Sequence, residues 1–495
     1  MQAVVRTATL VGVEAVPVFV QADVGAGLPS FTVVGLADTA VLEARDRVRA
    51  ALRAAGFAFP NARIVVNLAP APLRKRGTGF DLPIAAALLA ATGQMPPGRL
   101  ARSLVVGELA LDGGVSPVAG LLAYALEARR RRLTLVAAAN GSDCARALDG
   151  LAFHAVAGLA ELVLPEHERG ARRQTRRSDL DASVPDLAEV AGHDVARRAL
   201  EIAAAGGHNL LMIGPPGSGK TMLARRLPGI LPALTQEERL ETALVHSVAG
   251  VDESPVMAGV RPFRAPHHTS STAGLIGGGS PPRPGEVSLA HHGVLFLDEL
   301  AEFGPACLQA LRQPLEDGAV TLVRAEGAIT YPASFMLVGA ANPCPCGYYG
   351  ESSRCRCPEE VIARYHRRIG GPLMDRIDLL VRVSAVDPRR IVERAGRSEP
   401  SEAVLERVVG AVSFAARRRP PQARLDGAAL TAACAMDEQA RRYLTRTARA
   451  RRLSGRGVTR LMRVARTIAD LAEKPSVSAE HLAEAVNYRF EEAFR

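Results

Sequence analysis

Residues 208–227 read HNLLMIGPPGSGKTMLARRL: an apolar run, a loop of glycine and proline, and a run with helical spacing. The loop GPPGSGKT, residues 214–221, fits the pattern G-x-x-x-x-G-K-[S/T]. Such a loop turns successive backbone N–H groups toward phosphate oxygens at the carboxyl end of a strand. The stretch therefore predicts an α/β fold that binds a nucleoside triphosphate. A chance match inside a turn that binds nothing is the alternative, and the flanking strand and helix patterns oppose it.

The positions of this loop have separate roles in that interpretation. Gly217 and Gly219 let the backbone curl around the phosphates. Lys220 places a compact charge on the β- and γ-phosphates, and the Thr221 hydroxyl ligates Mg²⁺. Only three of the 61 cationic residues are lysines, so a lysine here argues that an ammonium group is required. The other loop positions predicted to bind the nucleotide are Gly214, Pro215, Pro216 and Ser218.

Two further apolar runs end in polar residues suited to the same site. GVLFLDEL, residues 293–300, ends in Asp298 and Glu299, and two carboxylates at the tip of a buried strand are costly unless a cation or ligand meets them. Asp298 would hold Mg²⁺ through water, and Glu299 would orient and deprotonate the attacking water; a solvated acidic turn is the alternative. SFMLVGAANPC, residues 334–344, delivers Asn342, which either positions the same water or merely forms a turn.

Arginines complete the predicted site. GPLMDRIDLLVRV, residues 371–383, places Arg376 before a strand, between two aspartates. It either neutralises those neighbours or projects into the γ-phosphate of the next subunit as an arginine finger. LSGRGVTRLMRVARTIADL, residues 453–471, offers Arg460, and with lower preference Arg456, to close on the nucleotide from above.

The composition bounds the class of protein. A length of 495 residues predicts two to four domains, and 48% hydrophobic residues exclude a disordered chain. No apolar run reaches the roughly 20 residues of a membrane span, and the N-terminus has no basic region before its apolar stretch. We therefore expect a cytoplasmic protein without membrane contact. Its net charge of +10 favours an anionic partner.

The pattern along the chain divides it into four parts. Residues 1–165 alternate strand-like and helical runs, with strands expected over 62–70 and 102–111 and helices over 36–56 and 80–93. Residues 166–186 form an arginine-rich stretch, either a solvated linker or a nucleic-acid contact. Residues 187–386 alternate strands and helices in the α/β manner. Residues 387–495 are predicted to be all helical and carry most of the excess positive charge.

The α/β part carries two insertions and a cysteine loop. The first insertion, 261–288, is rich in glycine and proline and holds Arg264 and two histidines, for which a metal role is disfavoured because no third ligand follows at helical spacing. The second, 316–335, is predicted to be a β-hairpin with Arg324 near its tip. Either it is a plain surface hairpin, or its arginine contacts DNA phosphates, as Arg264 is also expected to do.

The cysteine loop, 343–358, contains four thiols within 14 residues. Soft thiolates in two pairs match tetrahedral Zn²⁺, although the spacing departs from the common C-x₂₋₄-C pairs. Reduced free thiols or a redox pair are the alternatives. The four residues are Cys344, Cys346, Cys355 and Cys357.

Together these stretches, with RPFRAPHHTSSTAGLIGGG and GAANPCPCGYYG, resemble the magnesium-chelatase-like YifB/ComM family across essentially the whole chain. The resemblance implies an N-terminal domain like the C-terminal domain of Lon protease, an AAA+ core and a C-terminal helical lid. It also implies a homo-hexameric ATPase that uses ATP and Mg²⁺. For ComM proteins it further implies a helicase on single-stranded or branched DNA, driving branch migration when transforming DNA is integrated.

The chain departs from the implied pattern at three positions. Pro83 or a neighbour stands where the Lon nucleophile should be, and Leu122 where its lysine should be, so we expect a scaffold without peptidase activity. His193 stands where relatives often carry Gln near the adenine.

A protein-remodelling ATPase of the magnesium-chelatase type is the alternative function. Its pore loops would favour an aromatic residue, for which Phe263 is the candidate. We expect a chelatase motor to lack the N-terminal domain and the cysteine loop. Aromatic residues make up only 4% of the chain, with no Trp, so DNA contacts would be directed to the backbone.

Overall fold

The computed structural model describes residues 1–96, 98–163, 184–324, 327–350, 354–369, 371–386, 398–417 and 427–489. The arginine-rich stretch predicted over 166–186 lies outside the described residues except for its last three positions. The first 11 positions of the predicted helical part, residues 387–397, also lie outside them. Within the described ranges, no helix combines the length and the apolar character that crossing a membrane requires.

The N-terminal region combines a four-stranded mixed sheet, in the order β1-β2-β4-β3, with a parallel sheet in the order β5-β8-β9. The two predicted helices are confirmed as α1 and α2. Its elements are β1 (Gln2–Val11), β2 (Glu14–Gly25), β3 (Ser30–Val34), α1 (Thr39–Ala54), β4 (Arg63–Ala69), α2 (Asp81–Ala91), β5 (Ser103–Val105), β6 (Glu108–Leu109), β7 (Val115–Ser116), α3 (Leu121–Arg130), β8 (Thr134–Ala138), α4 (Asp143–Arg146) and β9 (Phe153–Val156).

The single strand predicted over 102–111 is wrong, because the chain breaks at Gly107 into β5 and β6. The Gly107 carbonyl accepts a hydrogen bond from the backbone N–H of Leu82, at 3.0 Å. A Cβ at Gly107 would lie 2.9 Å from the Val115 side chain, so only glycine fits this close approach. The backbone leaves the sheet here to meet the start of α2.

The central region is built on a five-stranded sheet in the order β11-β14-β17-β10-β18, with every neighbouring pair parallel. Its elements are α5 (Asp194–Gly206), β10 (Leu210–Ile213), α6 (Lys220–Arg226), α7 (Gln236–Ala249), α8 (Ser254–Met257), β11 (Phe263–Arg264), α9 (Thr272–Ile276), β12 (Gly277–Gly278), β13 (Arg283–Pro284), α10 (Glu286–Leu289), β14 (Val294–Leu297), α11 (Pro305–Ala310), α12 (Arg312–Asp317), β15 (Ala319–Arg324), β16 (Gly327–Pro332), β17 (Met336–Ala341), α13 (Glu359–Ile369), α14 (Gly371–Met374) and β18 (Leu379–Arg382).

Helices cover both faces of this sheet, which is why its strands read as continuous apolar runs. On one face, Leu210 and Met212 pack with α5 and with the helices of the C-terminal region. On the other, Leu211 and Ile213 pack with α11 and α13. The C-terminal helices are α15 (Ser401–Ala416), α16 (Gly427–Cys434), α17 (Glu438–Ala450), α18 (Gly455–Leu471) and α19 (Ala479–Asn487).

The N-terminal region packs on the central region through α3 and α7. Leu122 of α3 is fully buried in a cluster that includes Leu234 and Ala243, and its backbone N–H donates to the Ser247 hydroxyl at 3.3 Å. Pro83 is also buried, inside α2. The two residues that the sequence resemblance set against the Lon nucleophile and lysine are thus apolar side chains in the packed interior.

Candidate active site

Three neighbouring strands of the central sheet end in the polar residues singled out from the sequence. Gly214 follows β10, Asp298 follows β14 and Asn342 follows β17. The strands are parallel, and Ile213 is paired with Ala341, so the three loops leave the same edge of the sheet. We call this the carboxyl edge.

The glycine loop depends on residues without a side chain. A Cβ at Gly214 would lie 2.0 Å from the carbonyl oxygen of Val383, at the end of the neighbouring strand β18. Gly219 precedes α6 with φ +85°, in the left-handed region that favours glycine. The loop therefore lies close against the sheet and curls into the start of α6.

Lys220 points back into this loop rather than into solvent. Its Nζ donates to the carbonyl oxygens of Gly214 and Pro215, at 2.7 and 2.9 Å, and to Asn342 Oδ1 at 3.3 Å. Burial lowers the pKa of Lys220, while the nearby carboxylates of Asp298 and Glu299 act in the opposite direction. A desolvated ammonium held mainly by neutral oxygens is suited to a phosphate, which would be a stronger partner.

Thr221 and Asp298 are in direct contact at the carboxyl edge. The Thr221 hydroxyl donates to Asp298 Oδ2 at 2.6 Å. Hard oxygen ligands of this kind are those that Mg²⁺ prefers, so the pair fits the predicted metal role. Bound with a nucleotide, Mg²⁺ would neutralise charge on the β- and γ-phosphates.

Glu299 adopts an uncommon backbone conformation, with φ +50°. A non-glycine residue in this region is strained, and such strain is concentrated at functional sites. The carboxylate is about half exposed, and its Oε2 lies 3.1 Å from His268 Nδ1. The predicted base is therefore held by a histidine of the first insertion.

The contact between His268 and Glu299 was not expected from the sequence. The strand β11 is only two residues long, too short to recognise as a strand, yet it pairs in parallel with β14. The chain after Arg264 therefore emerges at the same edge as the chain after Leu297. Recognition of this short strand would have been needed to place His268 beside the site from the sequence.

His193 lies beside the glycine loop. It adopts φ +60° before α5, and its Nε2 is 3.5 Å from where a Cβ of Gly219 would be. Burial lowers the pKa of His193, which favours a neutral ring able to form a directed hydrogen bond. Its contact with the adenine stays a prediction.

The predicted arginines lie at the opposite edge of the sheet, which we call the amino edge. The Asn209 side-chain amide donates to the carbonyl oxygen of Arg376 at 2.8 Å, immediately before β10 begins. β10 has four residues, so about 13 Å of strand separates this edge from the glycine loop. A cavity of about 580 Å³ opens here, and its arginines are Arg376, Arg456, Arg460, Arg463 and Arg466.

Arg460, which the sequence predicts to close over the nucleotide from above, lies at the amino edge and away from the glycine loop of its own chain. Its guanidinium donates to the carbonyl oxygens of Met374 and Ile377, at 3.1 and 3.2 Å, and to Asp375 at 3.1 Å. All three acceptors lie in the turn that carries Arg376. Arg460 is buried and braces this turn, because α18 packs against the face of the sheet and not over the glycine loop.

Arg376 lies in an electropositive setting. Its side chain is 12% exposed and pairs with Glu316, whereas Asp375 pairs with Arg460 and Asp378 lies against His208. Burial, and then the neighbouring guanidinium groups of Arg456, Arg312 and Arg460, lower the pKa of Arg376. Cations crowded in this way favour the approach of an anion.

The two insertions form one continuous surface. The Tyr331 hydroxyl of the hairpin β15–β16 donates to the carbonyl oxygen of Pro282 in the first insertion, at 3.0 Å. Arg324, at the end of β15, is exposed and lies beside Gly278. Arg264 instead forms a two-pronged ion pair with Glu286, at 2.6 and 2.7 Å, and so holds the insertion together.

The four cysteines of the predicted zinc site come together. Their sulfur atoms all lie within 4.8 Å of one another. Cys344 lies 3.3 Å from Cys346 and 3.8 Å from Cys355, measured between sulfurs. None of them forms a disulfide.

A parallel sheet in this order, with a glycine–lysine loop after one strand and Asp–Glu after another, is the arrangement of a P-loop AAA+ domain. Residues 186–391 match the family described as magnesium chelatase, subunit ChlI, residues 20–140 match subunit ChlI of Mg-chelatase, and residues 398–489 match the ChlI C-terminal family.

Similarity to two relatives extends along nearly the whole chain. The YifB protein of Salmonella typhimurium is 43% identical over 493 residues, covering 98% of this chain and 97% of the relative. The competence protein ComM of Haemophilus influenzae is 40% identical over 495 residues, covering 98% and 97%. The chain belongs to the YifB/ComM magnesium-chelatase-like family, and it belongs to the class of AAA+ ATPases.

A third relative matches only in part. The magnesium-chelatase 67 kDa subunit of Chlorobaculum tepidum is 30% identical over 159 residues, which is 31% of this chain and 23% of the relative. The likeness to this chelatase subunit is therefore confined to less than a third of the chain.

Proposed function

We propose that this protein is a hexameric, ATP-hydrolysing motor on DNA, a ComM-type helicase that promotes branch migration when transforming DNA is integrated. Its cofactors are ATP and Mg²⁺, and its partners are further copies of the same chain and single-stranded or branched DNA. The full-length similarity to a competence protein supports the process, and the proposal locates it in the cytoplasm.

One observation carries the proposal of a ring: the parts of the site lie at opposite edges of one sheet. The carboxyl edge offers a phosphate loop, two metal-ligand oxygens and Glu299. The amino edge, about 13 Å away along β10, offers a cavity whose lining includes five arginines and four carboxylates. A transferring phosphoryl group needs cations around it. A second copy whose amino edge faces the first copy's loop would supply them, and repetition of that contact generates a closed ring.

The DNA part of the proposal rests on the surface formed by the two insertions. Arg324 and Arg283 are exposed on it, and Arg264 serves as its internal brace. An exposed guanidinium contacts phosphate without reading sequence, as a translocating motor requires. We therefore assign the contact with DNA to Arg324 and Arg283, and no longer to Arg264.

The N-terminal region acts as a scaffold in this proposal, with a Lon-like fold and no peptidase activity. Pro83 and Leu122 are packed interior residues, and α3 carries Leu122 against α7 of the ATPase region. This packing of α3 against α7 suits an N-terminal region that holds the ATPase region in a fixed orientation within the proposed ring.

The experiment is a mobility-shift assay on forked and single-stranded DNA with a non-hydrolysable ATP analogue. The proposal expects retardation that weakens by orders of magnitude as salt rises from about 50 to about 200 mM. It also expects DNA to stimulate ATP hydrolysis. ATP turnover that is unchanged by DNA, with no retardation at the lower salt, would overturn the DNA function and leave the ATPase standing.

A chelatase-type remodelling ATPase is the second candidate, and one finding favours it. Residues 20–140 match a family named for a chelatase subunit, so the presence of the N-terminal region does not separate the two functions, contrary to the expectation from the sequence. Phe263, however, stacks on Phe296 with ring centroids 5.9 Å apart, and is not free to grip a polypeptide. Stimulation of turnover by a partner protein and not by DNA would favour this candidate.

A further inference from the structure

We propose that Cys344, Cys346, Cys355 and Cys357 hold one structural Zn²⁺ and that this ion fixes the loop against which the glycine loop packs. The four sulfurs come from two short segments, residues 344–346 and 355–357, and their distances are those of ligands around a common centre.

The distances fit a single ion. Zn–S bonds of about 2.3 Å in a tetrahedron separate the sulfurs by about 3.8 Å. The sulfur of Cys355 lies 3.8 Å from that of Cys344 and 3.7 Å from that of Cys346. With all four sulfurs within 4.8 Å of one another, the space between them takes one metal ion and not an iron–sulfur cluster.

The chemistry of the donors selects zinc. Four soft thiolates in tetrahedral order are typical of structural Zn²⁺ sites. The complex carries a net charge of −2, and Arg354 and Arg356 flank Cys355 in the chain. The Arg354 guanidinium lies 4.2 Å from the centre of the Tyr348 ring, which links the chain just after the first segment to the chain just before the second.

The cluster is directly connected to the nucleotide site. Cys344 lies two residues after Asn342, and its carbonyl oxygen accepts a hydrogen bond from Gly347 N–H at 2.9 Å. This turn presses Gly347 against the glycine loop, since a Cβ there would lie 2.5 Å from Cδ of Pro216. An ion at the cysteines would therefore stiffen both Asn342 and one wall of the phosphate loop.

A second group of potential ligands does not support a metal. Glu241, His291 and His292 also come close together. The Nδ1 of His291 accepts the backbone N–H of Ser334 at 3.0 Å, so in the neutral ring its Nε2 carries the proton and faces Glu241. A nitrogen that carries a proton cannot bind a metal.

Metal analysis of the full-length protein, purified under reducing conditions without chelator, tests the site. We expect about one zinc per chain. Cys355→Ser should lose it, Cys357→His should keep it because three cysteines and one histidine also bind zinc, and the control Cys144→Ser should be unchanged. Zinc below about half an ion per chain, iron in its place, or equal zinc in Cys355→Ser would overturn the site.

ATP affinity of zinc-loaded and zinc-stripped protein tests the connection, which rests on the proposed function. Removal of zinc should weaken ATP binding about tenfold, with Cys357→His close to the parent. Equal affinity with and without zinc would overturn the connection and leave the metal site standing. Zinc at one per chain with no ATP binding in either form would overturn the proposed function instead.

Discussion

The two edges of the central sheet differ in charge and in what holds their side chains. At the carboxyl edge, Lys220 is held mainly by neutral oxygens, and Thr221 and Asp298 hold each other. At the amino edge, Arg376 pairs with Glu316, and burial followed by the neighbouring guanidinium groups lowers its pKa. The carboxyl edge is suited to a phosphate group together with Mg²⁺, whereas the amino edge is suited to a phosphate group alone. In the proposed function, each copy of the chain therefore carries two half-sites, and a second copy completes each of them.

Removal of the Arg376 guanidinium is expected to have the largest effect. Arg376→Ala should lower ATP turnover about 10³-fold or more, because an arginine finger stabilises transition-state charge by that much. ATP affinity should stay close to the parent, since the side chain lies at the edge remote from its own loop. Steady-state kinetics and ATP titration measure both quantities, with exposed Arg367→Ala as the control. Equal turnover in the two variants would contradict the role.

Removal of the base at the carboxyl edge comes next. Glu299→Gln should lower turnover about 10²-fold to 10⁴-fold and leave ATP bound, since general-base catalysis is lost while the loop is intact. Single-turnover kinetics on preloaded protein separate hydrolysis from binding. Glu302→Gln, three residues further along the chain, is the control. Full turnover in Glu299→Gln would make the assignment wrong.

Arg460 tests whether the amino edge acts as a unit, because its guanidinium braces the turn that carries Arg376. Arg460→Ala should lower turnover about tenfold by loosening this turn, with no change in the affinity of the chain for ATP. Arg460→Lys should not restore turnover fully, since an ammonium lacks the planar fork that reaches two carbonyl oxygens and Asp375. Weaker ATP binding without loss of turnover would instead return Arg460 to the nucleotide of its own chain.

The smallest expected effect concerns DNA. Arg324→Ala should weaken DNA binding modestly and reduce the slope of log affinity against log salt by about one. Binding isotherms at several salt concentrations measure this slope. Arg442→Ala, an exposed arginine paired within α17, is the control and should leave the slope unchanged. An unchanged slope in Arg324→Ala would remove this residue from the DNA surface.

The sequence was sufficient to predict what lies at the ends of strands. Gly214, Asp298 and Asn342 each follow an apolar run, and a parallel sheet gathers such ends at one edge. What could not be predicted depends on packing between distant segments. The contact of His268 with Glu299 follows from a two-residue strand, and the position of Arg460 follows from which face of the sheet receives α18. The periodicity of a helix does not specify that face.

The central claim is that ATP is split between two copies of the chain, and mixing two inactive variants tests it most directly. Lys220→Ala retains an intact amino edge, and Arg376→Ala retains an intact carboxyl edge. Each protein alone should be nearly inactive, and their mixture should regain a substantial part of the parental turnover. A mixture as inactive as its components, or parental protein whose turnover per chain is unchanged on dilution to single copies, would contradict the account.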